Sequence, residues 1–93
     1  MLRVVLDRRA IAALQKLSPD DRAAVVAALR ELPAGFGRPH IHAGLGLRQL
    51  HPGIYEGRSR LRWRFAFERE GDELVIKTVG NHDDIRRWLQ QRL

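Results

Sequence analysis

The sequence contains no cysteine. This absence excludes disulfide bonds, a thiolate nucleophile and cysteine-liganded zinc. Long apolar runs are also missing: the longest, at 23–29, falls far short of the roughly 20 residues that span a bilayer. An acid, Asp7, interrupts the early apolar residues, and no small-residue cleavage pattern follows it. We therefore predict a cytoplasmic protein that has no association with membranes.

Lysine is scarce, because Lys16 and Lys77 are the only two lysines among seventeen cationic side chains. The other cations are arginines, and the formal net charge is +6. The guanidinium group is a rigid fork that matches phosphate and carboxylate. The composition thus favours nucleic acid or an acidic protein as partner, although a GC-rich genome also enriches arginine. The placement of the arginines has to decide between these interpretations.

The length of 93 residues and the hydrophobic fraction of 44% predict one globular domain over 1–93. After a short edge strand at 3–6, helical spacing of apolar residues predicts a first helix over 7–17. Ser18-Pro19-Asp20-Asp21 is a strong start for a second helix, which Pro33 is expected to end. The two helices form a hairpin. Its second helix is predicted to bury Val25, Val26, Leu29 and Leu32.

The rest of the chain has mainly strand patterns. A loop over 34–46 leads to strand segments at 45–50 and 53–58, then strands at 60–68 and 73–79 with a turn at Gly71-Asp72. Asn81 or His82 is predicted to cap a final helix that docks on the sheet. We therefore predict an α+β fold: an N-terminal helical hairpin packed on a small, mostly antiparallel sheet, closed by a C-terminal helix.

The segment from 58 to 67 is the most informative. With a period of two, Leu61, Trp63, Phe65 and Phe67 share one face, while Arg58, Arg60, Arg62 and Arg64 share the other. Neighbours on one face lie about 7 Å apart, close to the phosphate spacing of a single strand. Four like charges in a row require acids opposite them or a polyanion, and Glu56 and Glu68 share their parity. A solvated face with local ion pairs is the alternative.

These motifs resemble the RelE/ParE superfamily of type II toxins. The matching stretches are Ile54-Tyr55-Glu56-Gly57-Arg58, Leu61-Arg62-Trp63-Arg64-Phe65 and the run from Val75 to Asp84. The resemblance rests on the order and spacing of these stretches and on the chain length. It covers essentially the whole sequence. The resemblance implies a RelE/ParE-like fold, a cognate antitoxin partner and one of two activities: metal-independent cleavage of mRNA on the ribosome, or inhibition of DNA gyrase.

The resemblance to RelE-like ribonucleases also implies site residues. Arg64, Arg62 and Arg58 would stabilise charge on the phosphate, and His82 would exchange a proton near neutral pH. The family's tyrosine is replaced by Trp88, which can stack on a base but cannot exchange a proton; packing in the core is the alternative. Arg48 and His51 are candidates to replace a family lysine pair. The full set of predicted RNA-binding residues is Arg48, His51, Arg60, Lys77 and Trp88.

Three histidines raise the question of a metal site. His40 and His42, with His51, have no nearby carboxylate and form an incomplete ligand set, so we predict no metal and no cofactor. The favoured function is therefore a toxin that cleaves mRNA. A gyrase-inhibiting toxin and a non-catalytic module that binds RNA or antitoxin are the alternatives. A homodimer and a toxin–antitoxin hetero-oligomer are both compatible with the sequence.

Overall fold

The structure, a computed structural model, describes residues 1–38 and 45–93. It has the predicted α+β architecture. The described elements are β1 (Arg3–Leu6), α1 (Arg8–Gln15), α2 (Pro19–Gly35), β2 (Arg48–His51), β3 (Ile54–Ser59), β4 (Trp63–Glu70), β5 (Glu73–Gly80) and α3 (His82–Arg92).

The starts of the helices follow the capping signals in the sequence. The Asp7 side chain accepts a hydrogen bond from Ala10 N and begins α1. Ser18 accepts one from Asp21 N, with Pro19 in the first turn of α2. Asn81 caps α3 in a reciprocal pair with Asp84, whose carboxylate accepts from the Asn81 backbone. Each side-chain oxygen accepts from a backbone donor that a helix start leaves unpaired.

The expected end of the second helix at Pro33 is wrong. Helix α2 continues through Pro33 to Gly35, and the backbone N–H of Phe36 donates to Leu32 O at 2.9 Å. Proline removes one backbone donor, but so near the helix end only one hydrogen bond is lost. Leu32 and Gly35 are buried, so packing of the last turn outweighs that loss.

The predicted loop over 34–46 therefore begins inside a helix. Its section from 39 to 44, with His40 and His42, lies outside the described residues.

The described strands form one sheet in the order β1-β5-β4-β3-β2. Strand β1 runs parallel to β5, and the other neighbouring pairs are antiparallel, as the sequence predicted for most of the sheet. Strand β2 begins at Arg48, later than the predicted 45, and its register with β3 shifts between Gln49 and His51. The register of β4 with β5 shifts after Ala66.

The predicted strand over 60–68 is the main difference. Residues 60–62 form a turn, and β4 begins only at Trp63. Arg60 has a φ of 58°, which is unusual for a residue other than glycine, and Leu61 is 91% exposed instead of facing the core. The four arginines thus do not form a ladder along one strand. They surround the end of a hairpin in which Arg58 lies opposite Arg64.

Both faces of the sheet are covered, though unequally. Helices α1 and α2 pack on one face, where Phe65 and Phe67 meet Leu14, Val25 and Leu29. Helix α3 packs on the other face through a smaller cluster: Ile54, Ala66, Ile85 and Trp88. We call this second side the α3 face. Helix α3 packs mainly on β4 and β5 and reaches β3 only at Ile54, so Arg48 of β2 and Arg58 of β3 stay exposed on this face.

Candidate functional site

Two adjacent rows of residues cross the α3 face. One row pairs Arg58 with Arg64 and Arg64 with Gly80; the next pairs Arg48 with Glu56 and Glu56 with Ala66. Directly paired residues share a face, and positions two apart on one strand share it too. The sheet therefore brings together Arg48, Arg58, Arg64 and Glu56 from three strands. We call these four residues the arginine cluster.

Glu56 anchors the arginine cluster. Its side chain is 2% exposed, and its Oε1 accepts a 2.7 Å hydrogen bond from Arg64 Nη1 while lying 3.6 Å from Arg48 Nε. A buried carboxylate is tolerated only when it is paired, and a charge-assisted bond of this length fixes the orientation of the guanidinium group. Glu56 is the acid that the sequence pattern placed on the arginine face.

Arg58 differs from its neighbours, because it is exposed and has no ion pair or hydrogen bond to any residue that the structure describes. Its side chain lies against Gly46, whose φ is +58°; a Cβ there would lie 3.0 Å from Arg58 Nε. One carboxylate faces three guanidinium groups, so the arginine cluster keeps an excess of positive charge. Gly46 was not singled out from the sequence, since its only signal is membership of a glycine-rich loop.

His82 is the first residue of α3 and is exposed. One residue, Asn81, separates it from Gly80, the last residue of β5. Gly80 in turn pairs with Arg64. The close approach of strand and helix depends on Gly80, since a Cβ there would come within 2.5 Å of Asp84 Cβ. The fold thus brings the predicted histidine to the end of the strand that adjoins the arginine cluster.

Three of the predicted cations are placed elsewhere. Arg60 Nη1 lies 3.8 Å from Asp21 Oδ1 on α2, towards the opposite face of the sheet. The guanidinium carbon of Arg62 lies 4.6 Å from the centre of the Trp63 ring. Lys77 Nζ lies 3.3 Å from Glu70 Oε2. The turn at 60–62 explains the first two positions, because it ends the alternation that would have aligned them with Arg58 and Arg64.

Solved structures provide the comparison, since no family model and no curated protein matches the chain. The isolated E. coli RelE toxin is 19% identical, with 100% of both chains covered and a TM-score of 0.66. A copper-bound mutant toxin from Helicobacter pylori is 16% identical, with 91% of this chain and 99% of that chain covered and a TM-score of 0.72. A RelBE toxin–antitoxin complex from Mycobacterium tuberculosis gives 24% identity, 87% and 98% coverage and a TM-score of 0.60.

The chain has the RelE toxin fold. The likeness extends over nearly the full length of each neighbour, so helical hairpin, sheet and closing helix all correspond. At these identities the likeness shows the fold alone. The chemistry of the RelE-type fold in this chain has to be argued from the arginine cluster and His82.

The Trp88 ring, which the sequence resemblance compares with a family tyrosine, is buried. It is 6% exposed and packs with Ile85 of α3 on Ile54 and Ala66 of the sheet. The ring has little free surface on which a base could stack. This agrees with the alternative that Trp88 packs in the core. His51 is exposed at the end of β2, beyond the register shift, and has no described hydrogen bond to the arginine cluster.

Residues 1–38 and 45–93 contain no group of three or more metal-ligating side chains that could hold an ion. Within these same ranges, no helix is long and apolar enough to cross a membrane.

Proposed function

We propose that this chain is the toxin of a type II toxin–antitoxin system and that it cleaves mRNA without a metal ion. The observation that carries the proposal is the arginine cluster, in which a buried Glu56 orients Arg64 at 2.7 Å beside Arg58, which has no ion-pair partner among residues 1–38 and 45–93. An excess of rigid positive charge on an open sheet face suits a phosphate whose negative charge increases during reaction.

The proposed reaction is transesterification within the RNA strand. The 2′-oxygen attacks the adjacent phosphorus, the bond from phosphorus to the 5′-oxygen breaks, and a cyclic phosphate and a free 5′-hydroxyl result. A base takes the proton of the 2′-hydroxyl, and an acid supplies one to the leaving oxygen. Arg58 and Arg64 stabilise the charge on the phosphorus-bound oxygens. His82 exchanges a proton, a role that suits imidazole near neutral pH.

The fold neighbours support a partner of the proposed kind. Three of the similar structures are RelB–RelE or RelBE complexes of a toxin with its antitoxin. We propose that this chain likewise binds a cognate antitoxin, which is acidic to match a net charge of +6. Its proposed substrate is mRNA on the ribosome, which places the activity in the cytoplasm.

The test is inducible expression in a bacterial host, with growth and mRNA integrity followed together. Arg58→Ala and His82→Ala are suitable variants because both side chains are exposed and their removal leaves no buried charge unpaired. Arg64→Lys keeps the charge for Glu56 but removes the fork geometry. Arg30→Ala, an exposed arginine on α2, is the control for loss of one charge.

Growth arrest with mRNA cleavage that the cluster variants lose and Arg30→Ala keeps would support the proposal. Purified protein that has been treated with EDTA and then freed of the chelator should still cut mRNA on ribosomes. Arrest with intact mRNA would contradict the proposal and indicate gyrase or another target. Absence of arrest from a folded wild-type protein would also contradict it and favour a non-catalytic binding module.

A further inference from the structure

A cleft of about 490 Å³ lies between α1 and α3, away from the arginine cluster. One wall is formed by Arg9, Ala12 and Ala13 of α1 and by Lys16, which directly follows that helix, at the spacing that aligns residues on one helix face. Asp84, Arg87, Trp88 and Gln91 form the opposite wall on α3 with the same spacing. Thr78, Val79 and Gly80 line it where β5 extends beyond its pairing with β1, which ends at Ile76.

The cleft carries an excess of positive charge. Arg9 and Lys16 are exposed and form no ion pair with any described residue. The acid in the lining, Asp84, is already engaged, since it accepts from the Asn81 backbone at 2.9 Å and from Arg87 at 2.9 Å. Two small residues, Ala12 and Ala13, separate Arg9 from Lys16, so nothing bulky on α1 blocks access between the two cations. The lining therefore suits an anionic ligand.

Indole rings form the other part of the lining. Trp63 and Trp88 both border the cleft, Trp63 from β4 and Trp88 from α3. The indole N–H of Trp63 is shielded from solvent and has no acceptor among the described residues. Indole nitrogen is a donor only, and shielded donors without a partner are rare in folded proteins. Because that N–H is already shielded, the wall offers a ligand the ring surface of Trp63 and not its donor, which suits a flat ligand.

We propose that the cleft between α1 and α3 binds one nucleotide of a single-stranded nucleic acid, outside the cleavage site. Arg9 and Lys16 contact its phosphates, while the base enters between the helices near Trp63. Gly80 connects the two sites, because it lines the cleft and also pairs with Arg64 of the arginine cluster. An RNA strand cut at that cluster can thus pass His82 and enter the cleft. This inference rests on the proposed function, since it extends the same substrate.

A cavity of this volume is in the range of small-ligand sites, roughly 300–1,000 Å³. A nucleotide supplies both a ring and a phosphate. It therefore matches a lining of cations and indoles better than an acidic peptide, which supplies carboxylates. An acidic peptide is the competing occupant, and the test includes it.

The two tryptophans of the protein both line this cleft, so the intrinsic fluorescence of the protein reports a ligand that enters it. The probe is a short 2′-O-methyl oligouridylate, which lacks the attacking hydroxyl and cannot be cut. Wild type is compared with Arg9→Ala/Lys16→Ala and with the charge-matched Arg30→Ala/Arg86→Ala, whose arginines lie outside the cleft. Circular dichroism checks that each variant folds. Ala12→Glu adds an acid to the α1 wall without removing a cation.

We expect the oligonucleotide to quench the fluorescence of wild type. Binding by Arg9→Ala/Lys16→Ala should weaken by roughly tenfold or more, while the Arg30→Ala/Arg86→Ala control changes far less. Two lost phosphate contacts should also reduce the slope of log affinity against log salt by about 1.4, at about 0.7 per single-strand contact. Ala12→Glu should weaken binding in the same direction.

Equal affinity in the cleft and control variants would overturn the inference. If Arg58→Ala then still weakened binding, the proposed cleavage site would stand and only the second site would fail. Quenching by an oligoglutamate peptide but not by the oligonucleotide would overturn it in favour of a protein occupant. No binding of the oligonucleotide would overturn the second site, while the proposed cleavage of mRNA on the ribosome would still be decided by the expression experiment.

Discussion

Arg64 Nη1 donates a 2.7 Å hydrogen bond to Oε1 of Glu56, a carboxylate whose side chain is 2% exposed. The pair joins β4 to β3 on the face where the phosphate of the proposed substrate would lie. Because Arg64 is itself only 19% exposed, neither partner can regain full hydration when the other is removed. The pair therefore ties the stability of the hairpin to the orientation of a proposed catalytic group.

Removal of the Glu56 carboxylate should destabilise the protein. We expect Glu56→Ala to lower the free energy of unfolding by about 3 kcal/mol, because it leaves Arg64 partly buried and unpaired. Urea denaturation followed by circular dichroism measures this loss. Glu31→Ala removes an exposed glutamate of α2 and should change the stability by less than about 0.5 kcal/mol. A loss below about 1 kcal/mol for Glu56→Ala would show that Arg64 rehydrates freely.

The hairpin also requires the absence of a side chain at Gly57. A Cβ there would lie 2.3 Å from Phe65 Cζ and 2.9 Å from Leu47 Cδ2, and the Phe65 ring is fully buried. We expect Gly57→Ala to destabilise the protein by about 2–3 kcal/mol through overpacking. Gly53→Ala is the matched control: nothing lies within 4 Å, so only its φ of +80° opposes substitution, at about 1 kcal/mol. Thermal denaturation should rank the two variants in this order.

Substitutions of Trp88 can distinguish a role in core packing from a role in contacting RNA. Trp88→Ala should lower the free energy of unfolding by about 3–5 kcal/mol, because it empties the space between α3 and the sheet. Trp88→Phe retains most of the buried ring and should keep both folding and any RNA cleavage. A folded Trp88→Phe protein with normal stability but no cleavage would instead indicate a direct role of the indole in the reaction.

The ion pair of Glu68 with Arg92 predicts a dependence of stability on pH. The hydrogen bond from Arg92 lowers the pKa of Glu68 below its ordinary value of 4.5, against the opposing effect of partial burial. A lowered folded-state pKa stabilises the protein above the unfolded value, and this contribution is lost as pH falls through the folded pKa. The melting temperature should therefore fall more steeply below pH 4.5 in wild type than in Arg92→Ala.

An NMR titration provides the direct measurement for the same pair. In Arg92→Ala the pKa of the Glu68 carboxyl should rise, because its principal stabilising contact is gone. Arg86→Ala removes an equal charge from α3 without touching Glu68 and should leave that pKa near the wild-type value. Equal titration of Glu68 in wild type and Arg92→Ala would contradict the ion pair.

The sequence predicted the fold well where local chemistry determines the structure. Ser18 with Pro19 identified one helix start, and Asn81 or His82 another, because capping depends on neighbouring residues only. The hairpin at 60–62 was missed for the opposite reason. Its turn contains no glycine, proline or asparagine, and Leu61 continues the apolar alternation of Trp63 and Phe65. Pairing with β3 determines where β4 begins, and no local pattern encodes that pairing.

The candidate site was predictable in composition but not in arrangement. Arg58 and Arg64 were correctly placed on one face, yet they share it as opposite partners on two strands and not as neighbours on one. Arg60 and Arg62 were separated from them by the turn. The burial of Glu56 follows from three-strand packing, which depends on contacts between residues distant in sequence.

The parallel pairing of β1 with β5 joins Arg3 to Glu73 and Leu6 to Ile76. Of the described strands, β1 is synthesised first and β5 last. The first strand therefore pairs only with the last one. During synthesis the sheet cannot be completed until β5 has emerged, since β5 separates β1 from every other described strand. The row that contains Arg64 also includes Gly80 of β5. A protein proposed to attack translation would therefore complete its working surface only after its last described strand has been synthesised.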